Sequence, residues 1–114
     1  MSQHDDGVSL QQMLDHANEA VEFVRGSSRG DLESDRKLEL ALVRLVEIVG
    51  EAATRVSESK RRELSQIEWP KVVAMRNRLI HGYDMVDLNI LWDTTQSDLP
   101  ALIEHLEAAL GSRE

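Results

Sequence analysis

Apolar residues recur at intervals of three and four along the first part of the chain, which is the spacing of one face of an α-helix. Ser9 stands where an N-cap is expected, and Gln12 three residues later completes a capping box. Residues 26–30 are rich in glycine and serine and predict a flexible loop. The apolar face of this first predicted helix consists of Leu10, Met13, Leu14, Ala17, Val21 and Val24.

A second predicted helix begins near Leu32 or Ser34 and ends at about Val56. It is apolar over much of its circumference, so we expect it to be central in a bundle or covered by a second subunit. Gly50 would weaken an isolated helix by about 1 kcal/mol, and a close approach by another helix would account for it. The main apolar face is Leu38, Ala41, Leu42, Leu45, Val49, Ala52 and Val56, and a second set is Leu40, Val43, Val46, Gly50 and Ala53.

A third helical segment follows residues 57–67, which are polar and leave room for one helical turn. Trp69 and Pro70 open this segment, which is predicted to run from Pro70 to Ile80 or His81 and to stop at Gly82. Proline just inside the start of a helix and glycine just past its end is the expected arrangement.

The last predicted helix follows a bend at residues 84–86 and is capped by Asp87. Its apolar positions keep helical register from Leu88 to Leu110, and Gly111 ends it. Pro100 interrupts this register because it has no amide hydrogen to donate, so we expect a kink or break there.

These segments predict an all-α fold, since no strand pattern, internal repeat or low-complexity segment is present. The expected architecture is an up-and-down antiparallel bundle of four main helices plus a short one. The 114 residues are predicted to form a single domain, with residues 1–7 frayed.

The charge distribution narrows the possible partners. The net charge of −8 argues against general binding to nucleic acid. Between Lys60 and Tyr83, however, six basic residues face two acidic ones, a balance of +4 that suits a local site for RNA or an acidic partner. We expect the run Lys60-Arg61-Arg62 to be merely solvated. The absence of cysteine excludes disulfides and fits a cytoplasmic protein, and no stretch is apolar enough to span a membrane.

Arg76 stands out in the third predicted helix because its apolar neighbours at helical spacing surround it, so its guanidinium should face the core. A buried guanidinium keeps its charge and is costly unless it is paired. The pattern leaves two partners open, a structural carboxylate such as Glu51 or a phosphate. The neighbours are Val72, Val73, Leu79 and Ile80.

His81 lies near the predicted C-terminus of this helix, where the helix dipole favours an imidazolium. Asn77, four residues earlier, shares its face. The sequence has no metal-ligand spacing and no glycine loop for a nucleotide phosphate. An Arg/His pair without metal suits RNA cleavage, in which the substrate's own 2′-hydroxyl attacks while arginine holds the phosphate and histidine transfers a proton. The residues alone leave a core ion pair for Arg76 and a helix-end role for His81 as alternatives.

The spacing of these two residues favours a homodimer. Five residues on an ideal helix are about 140° apart, so Arg76 and His81 would not point the same way. Two copies related by a twofold axis would bring both pairs together. The wide apolar face of the second helix would supply the interface.

The order Arg-x4-His-x-Tyr, formed by Arg76, His81 and Tyr83, resembles the HEPN superfamily and, within it, the HepT-like toxins. Residues 48–53, with the sequence Ile-Val-Gly-Glu-Ala-Ala, also resemble the long second helix of that family, and Trp69 precedes the motif where the family has it. The likeness covers residues 8 to 110. It implies a helical, metal-independent endoribonuclease without a cofactor, acting on RNA at a cleft between two protomers.

The resemblance also implies roles for individual residues. Arg76 would position the scissile phosphate and His81 would carry out acid–base catalysis, while Asn77 orients one or both and Tyr83 lines the site. In that family a minimal nucleotidyltransferase antitoxin, MntA, adenylylates the tyrosine of the motif, so Tyr83 is the expected O-AMP-tyrosine. An alternative interpretation is a non-catalytic subunit of such a nucleotidyltransferase, in which Arg76 and His81 bind a nucleotide or the partner.

Overall fold

A computed structural model of the chain describes residues 5–81 and 85–111, and for His81 it describes the backbone alone. The predicted all-α fold is confirmed. The helices are α1 Asp6–Phe23, α2 Arg29–Ser34, α3 Arg36–Thr54, α4 Glu58–Glu63, α5 Trp69–Val73, α6 Met75–Leu79, α7 Leu88–Asp93 and α8 Leu99–Leu110, with a π-helical turn, Thr94–Asp98, between the last two.

One element was not predicted, an antiparallel hairpin of two-residue strands, β1 Ile80–His81 and β2 Met85–Val86. Ile80 pairs with Val86, and His81 pairs with Met85. The expectation that the chain contains no strand is therefore wrong at this point. Strands of two residues are too short to show an alternating pattern in a sequence.

Helix α1 begins earlier than predicted. Its N-cap is Asp5, whose carboxylate accepts hydrogen bonds from the amides of Gly7 and Val8. Ser9 lies inside the helix and is buried, so it is not the cap. The prediction that residues 1–7 are frayed is wrong for residues 5–7, and residues 1–4 lie outside the described part of the chain. An aspartate is as good an N-cap as a serine, and it stands first in the chain.

The predicted second helix is two helices. Ser28 and Asp31 form a capping box at the start of α2, so the expected loop ends at residue 28. Asp35 has extended backbone and accepts a hydrogen bond from the Leu38 amide, which starts α3. Two capping acids within five residues thus divide a segment that hydrophobic spacing alone presents as continuous.

Helix α3 is central in the bundle, which was one of the two predicted alternatives, the other being cover by a second subunit. It packs against α1, α2, α5 and α6. Leu42, Val46 and Val49 are fully buried within this one chain, while Leu40 remains 52% exposed. The chain itself therefore covers most of the wide apolar face, which removes the argument that this face serves a dimer interface.

The last predicted helix is divided before Pro100, which confirms the expected break. Instead of a simple kink, the chain makes a π-helical turn in which the Leu99 amide donates to the carbonyl of Thr94, five residues earlier. The buried hydroxyls of Thr94 and Thr95 donate to the carbonyls of Ile90 and Trp92. Gly111 ends α8 with a φ of 81°, as predicted. None of the described helices combines the length and hydropathy that a bilayer crossing requires.

Candidate functional site

The motif segment is not one helix. Helix α5 ends at Val73, Ala74 breaks the helical geometry with ψ near 2°, and α6 ends at Leu79. Ile80 has extended backbone (φ −90°, ψ 126°), and the Asp87 amide donates to the Leu79 carbonyl across 2.7 Å. This pairing pulls the chain out of the helix before Gly82 is reached.

His81 therefore lies in strand β1 and not at a helix C-terminus. Three predictions that assumed a helix through His81 are wrong: the favourable helix dipole, the shared face with Asn77, and the 140° separation from Arg76. Because the 140° separation was the basis of the spacing argument for a homodimer, that argument no longer holds. The proposed role of His81 is a separate matter, because its side chain and residues 82–84, including Tyr83, lie outside the described residues.

Arg76 is exposed, so the prediction that it faces the core is wrong. The break at Ala74 shifts the buried face by one position from the predicted stripe. Met75 is therefore buried in place of Arg76, the next residue. Its guanidinium Nη1 lies 3.5 Å from Oδ1 of its neighbour Asn77. Among the described residues no carboxylate lies within 4.0 Å of it. The buried residues of α5 and α6 are Trp69, Val72, Met75 and Leu79.

Arg76 and Asn77 line an open groove between α3 and the α5–α6 segment, which we call the Arg76 groove. Gly50 forms part of its floor, where a Cβ atom would lie 3.3 Å from the Val73 carbonyl oxygen. The predicted close approach of a helix at Gly50 is thus confirmed. The other residues that line the groove are Glu47, Glu51, Thr54 and Val73.

The carboxylates of the Arg76 groove differ from each other. Glu47 accepts a hydrogen bond from Arg44 at 3.1 Å and forms an ion pair with it. Glu51 is exposed, and its carboxylate has no hydrogen-bond or ion-pair partner among the described residues. Glu51 shares the groove with Arg76 without forming a salt bridge to it, which answers the question that the sequence left open.

The neighbouring basic residue of α6 is bound elsewhere. Arg78 lies 3.5 Å from a carboxylate oxygen of Asp98 in the π-helical turn, and Lys71 of α5 lies 3.5 Å from the other oxygen. Through these two ion pairs Asp98 links α5, α6 and the π-helical turn, and its side chain is only 18% exposed. Arg76 and Arg78 thus contact different parts of the molecule: Arg76 lines the groove beside α3, and Arg78 pairs with the π-helical turn.

Arg61 is a structural residue that sequence reasoning missed. Its guanidinium donates to the carbonyls of Ala53 and Val56 at the end of α3, at 2.9 and 3.2 Å, and stacks 5.6 Å from the centre of the Trp69 ring. The expectation that it is solvated is therefore wrong. Lys60 and Arg62 do lie at the surface, in ion pairs with Glu63 and Glu58. An aromatic residue eight positions downstream was the available signal.

Of the six basic residues between positions 60 and 81, five are engaged by a carboxylate or a backbone carbonyl of the described chain. Arg76 is the exception. An exposed guanidinium next to an asparagine, in an open groove, is free to bind an anion such as a phosphate.

Comparison with known proteins identifies the family. A family model described as "Ribonuclease HepT-like" matches residues 13–109. The chain belongs to the HepT-like family. The resemblance drawn from the motif is thereby confirmed at the level of the family. No solved structure matches the chain significantly.

Several HepT-like relatives cover most of the chain. "Probable ribonuclease HepT" of Thermococcus cleftensis is 34% identical over 78% of this chain and 84% of its own length. "Putative RNase TTE0752" of Caldanaerobacter subterraneus is 33% identical over 89% of this chain and 90% of its own. "Putative RNase MJ1380" of Methanocaldococcus jannaschii is 29% identical over 94% and 98%. The family match spans residues 13–109 and therefore covers all the residues that line the Arg76 groove.

Proposed function

We propose that this HepT-like chain is a metal-independent endoribonuclease that cleaves RNA at a cleft between two copies of itself. Arg76 and His81 are the catalytic residues, and Asn77 and Tyr83 support them. The observation that carries the proposal is the exposed guanidinium of Arg76 in the Arg76 groove, which has no carboxylate partner among the described residues, in a chain whose relatives are named as ribonucleases.

The chemistry follows from the side chains present. Arg76 holds two oxygens of the scissile phosphate and neutralises the charge that develops during in-line attack by the 2′-hydroxyl. The imidazolium of His81 protonates the departing 5′-oxygen, because imidazole exchanges protons near neutral pH. Asn77, whose amide oxygen contacts the Arg76 guanidinium at 3.5 Å, restricts the directions in which that guanidinium points.

Support for a homodimer now comes from the hairpin and not from the helix. Met85, which pairs with His81, is an apolar residue 68% exposed in this single chain. A large exposed apolar side chain beside a proposed catalytic residue is suited to an interface that completes the site. In the proposed dimer His81 of one copy serves the phosphate bound by Arg76 of the other.

The protein is further proposed to act as the toxin of a toxin–antitoxin pair. Its antitoxin is an MntA-like nucleotidyltransferase that transfers AMP from ATP to the phenol oxygen of Tyr83 and releases pyrophosphate. Tyr83 is two residues from His81, so a bulky anionic nucleotide there would repel the RNA backbone from the site.

The test is RNA cleavage by purified protein in the presence of EDTA. Wild type is expected to cleave, while Arg76→Ala and His81→Ala each lower the rate at least about 100-fold. Arg78→Ala is the matched control, because it removes the same charge from the same short helix but from an ion pair with Asp98. Equal activity of Arg76→Ala and Arg78→Ala, or no cleavage by wild type, contradicts the proposal.

A further inference from the structure

Glu51 is, besides Arg76, the charged residue of the Arg76 groove that has no ion-pair partner among the described residues. It is exposed on α3, it lines the groove with Arg76 and Asn77, and its carboxylate has no partner among the described residues. Glu47, one helical turn earlier, has its charge compensated by Arg44 at 3.1 Å. A groove that binds phosphate therefore carries one free carboxylate in its wall.

Such a carboxylate is unfavourable for binding a phosphate alone, because two anions in one groove repel each other. A hydrogen-bond donor beside the phosphate offsets this cost, because it can donate to the carboxylate. In a nucleic acid, the ribose 2′-hydroxyl is such a donor, and DNA lacks it. A carboxylate next to a phosphate-binding arginine thus suits RNA specifically.

Resting on the proposed function, we infer that Glu51 contacts the 2′-hydroxyl beside the phosphate held by Arg76 and acts as the general base. The Glu51 carboxylate takes the proton of the 2′-hydroxyl, and the oxygen attacks phosphorus as the bond to the 5′-oxygen breaks. The His81 imidazolium gives its proton to that leaving oxygen. The products are a 2′,3′-cyclic phosphate and a 5′-hydroxyl end, with one proton moved from substrate to Glu51 and one from His81 to product.

A pair of isosteric variants tests the catalytic part. Glu51→Gln keeps the size of the side chain but cannot accept the proton, so kcat should fall about 100-fold or more. Glu39→Gln removes the same charge from the same helix outside the Arg76 groove, and its kcat should change less than about threefold since Glu39 is ion-paired with Arg36 instead of facing the groove. Thermal unfolding of both variants checks that they fold. Equal rates for the two variants overturn the inference.

A binding experiment separates this inference from the proposed function. In a His81→Ala background, which leaves RNA intact, the protein should bind an RNA oligonucleotide about tenfold more tightly than its fully 2′-deoxy counterpart. Glu51→Ala should abolish that preference.

If the preference survives in Glu51→Ala, the inference is overturned. If wild type does not cleave but Glu51→Ala abolishes the preference, the proposed catalysis fails while the contact stands. A protein that neither cleaves nor binds RNA overturns both.

Discussion

Gly50 of α3 and Val73 of α5 are in backbone contact: a Cβ atom at position 50 would lie 3.3 Å from the Val73 carbonyl oxygen and 3.4 Å from that of Val72. Both neighbouring atoms belong to the backbone, so neither can move aside as a side chain would. The α5–α6 segment that carries Arg76 therefore lies so close to α3 that a Cβ atom at position 50 would be in a tighter contact than most Cβ atoms make.

Replacing Gly50 with valine should push α5 away from α3 and destabilise the fold. Overpacking of this kind costs about 1–3 kcal/mol in the free energy of unfolding, which outweighs the gain in helix propensity. Denaturant unfolding measures the change. Gly30→Val is the control, because a Cβ there would meet only the Ser28 hydroxyl at 3.7 Å, and it should cause no loss. A Gly50→Val protein as stable as wild type would contradict this account of α3–α5 packing.

Arg61→Ala should destabilise the protein by about 1.5–3 kcal/mol, the range for hydrogen bonds to charged groups. It removes two hydrogen bonds to carbonyls at the end of α3 and the stacking on Trp69. Arg62→Ala, which breaks only a surface ion pair with Glu58, should cost less than about 1 kcal/mol. Chemical denaturation of the two variants side by side is the measurement, and equal losses would show that Arg61 is as solvated as Arg62.

Met85→Glu should convert the proposed dimer to a monomer and reduce RNA cleavage with it, because a carboxylate cannot be desolvated cheaply in an apolar contact. Sedimentation velocity reports the mass, and cleavage is measured at the same concentration. Val8→Glu is the matched control, since Val8 is also apolar and 54% exposed but lies on α1. A wild-type protein that sediments as a monomer at micromolar concentration, or a dimer unaffected by Met85→Glu, would contradict the proposed interface.

Incubation with an MntA-like nucleotidyltransferase and ATP should add one or more AMP units to the wild-type chain and abolish its RNA cleavage. Tyr83 is the only tyrosine in the sequence, so Tyr83→Phe should remove all tyrosine-linked AMP. Intact-mass spectrometry, followed by acid and phosphodiesterase treatment to identify the linkage, is the measurement. Unchanged mass gain in Tyr83→Phe would place the modification elsewhere.

Modification and activity together also distinguish the toxin from the alternative of a non-catalytic subunit. A toxin cleaves RNA before modification and stops after it. A non-catalytic subunit binds the nucleotidyltransferase or a nucleotide through Arg76 and His81 and cleaves nothing at either stage. Binding of the partner by the Arg76→Ala variant, measured by calorimetry, then shows whether Arg76 serves the partner or the RNA.

Hydrophobic spacing predicted the helical class and the central position of α3, because a helix that is apolar on many sides has to be covered. The same spacing failed at the motif. It presented Pro70 to His81 as one helix with Arg76 buried, whereas Ala74 breaks the helix and the pairing of Ile80 with Val86 ends it. The pairing joins residues six positions apart in strands of only two residues, and a helical period does not report such a pairing.

Hydrogen bonds between near neighbours in the sequence were predicted, and those that need the chain to turn back were not. Asp87 was predicted to cap α7 and does so, since its hydrogen bonds reach only two and three residues along the chain. Arg61 was predicted to be solvated, but its carbonyl partners at Ala53 and Val56 come within reach only when the chain turns back after α3.

By itself, the sequence determined that this protein is helical, that it belongs with the HepT-like chains, and which side chains could act on a phosphate, because periodicity and motif order are properties of neighbouring positions. Only the tertiary structure decided that Arg76 is exposed without a carboxylate partner among the described residues, that Arg78 is ion-paired with Asp98, and that Glu51 shares the groove. Those outcomes depend on how α3, α6 and the π-helical turn pack, and a short-range pattern carries no information on which charges meet across that packing.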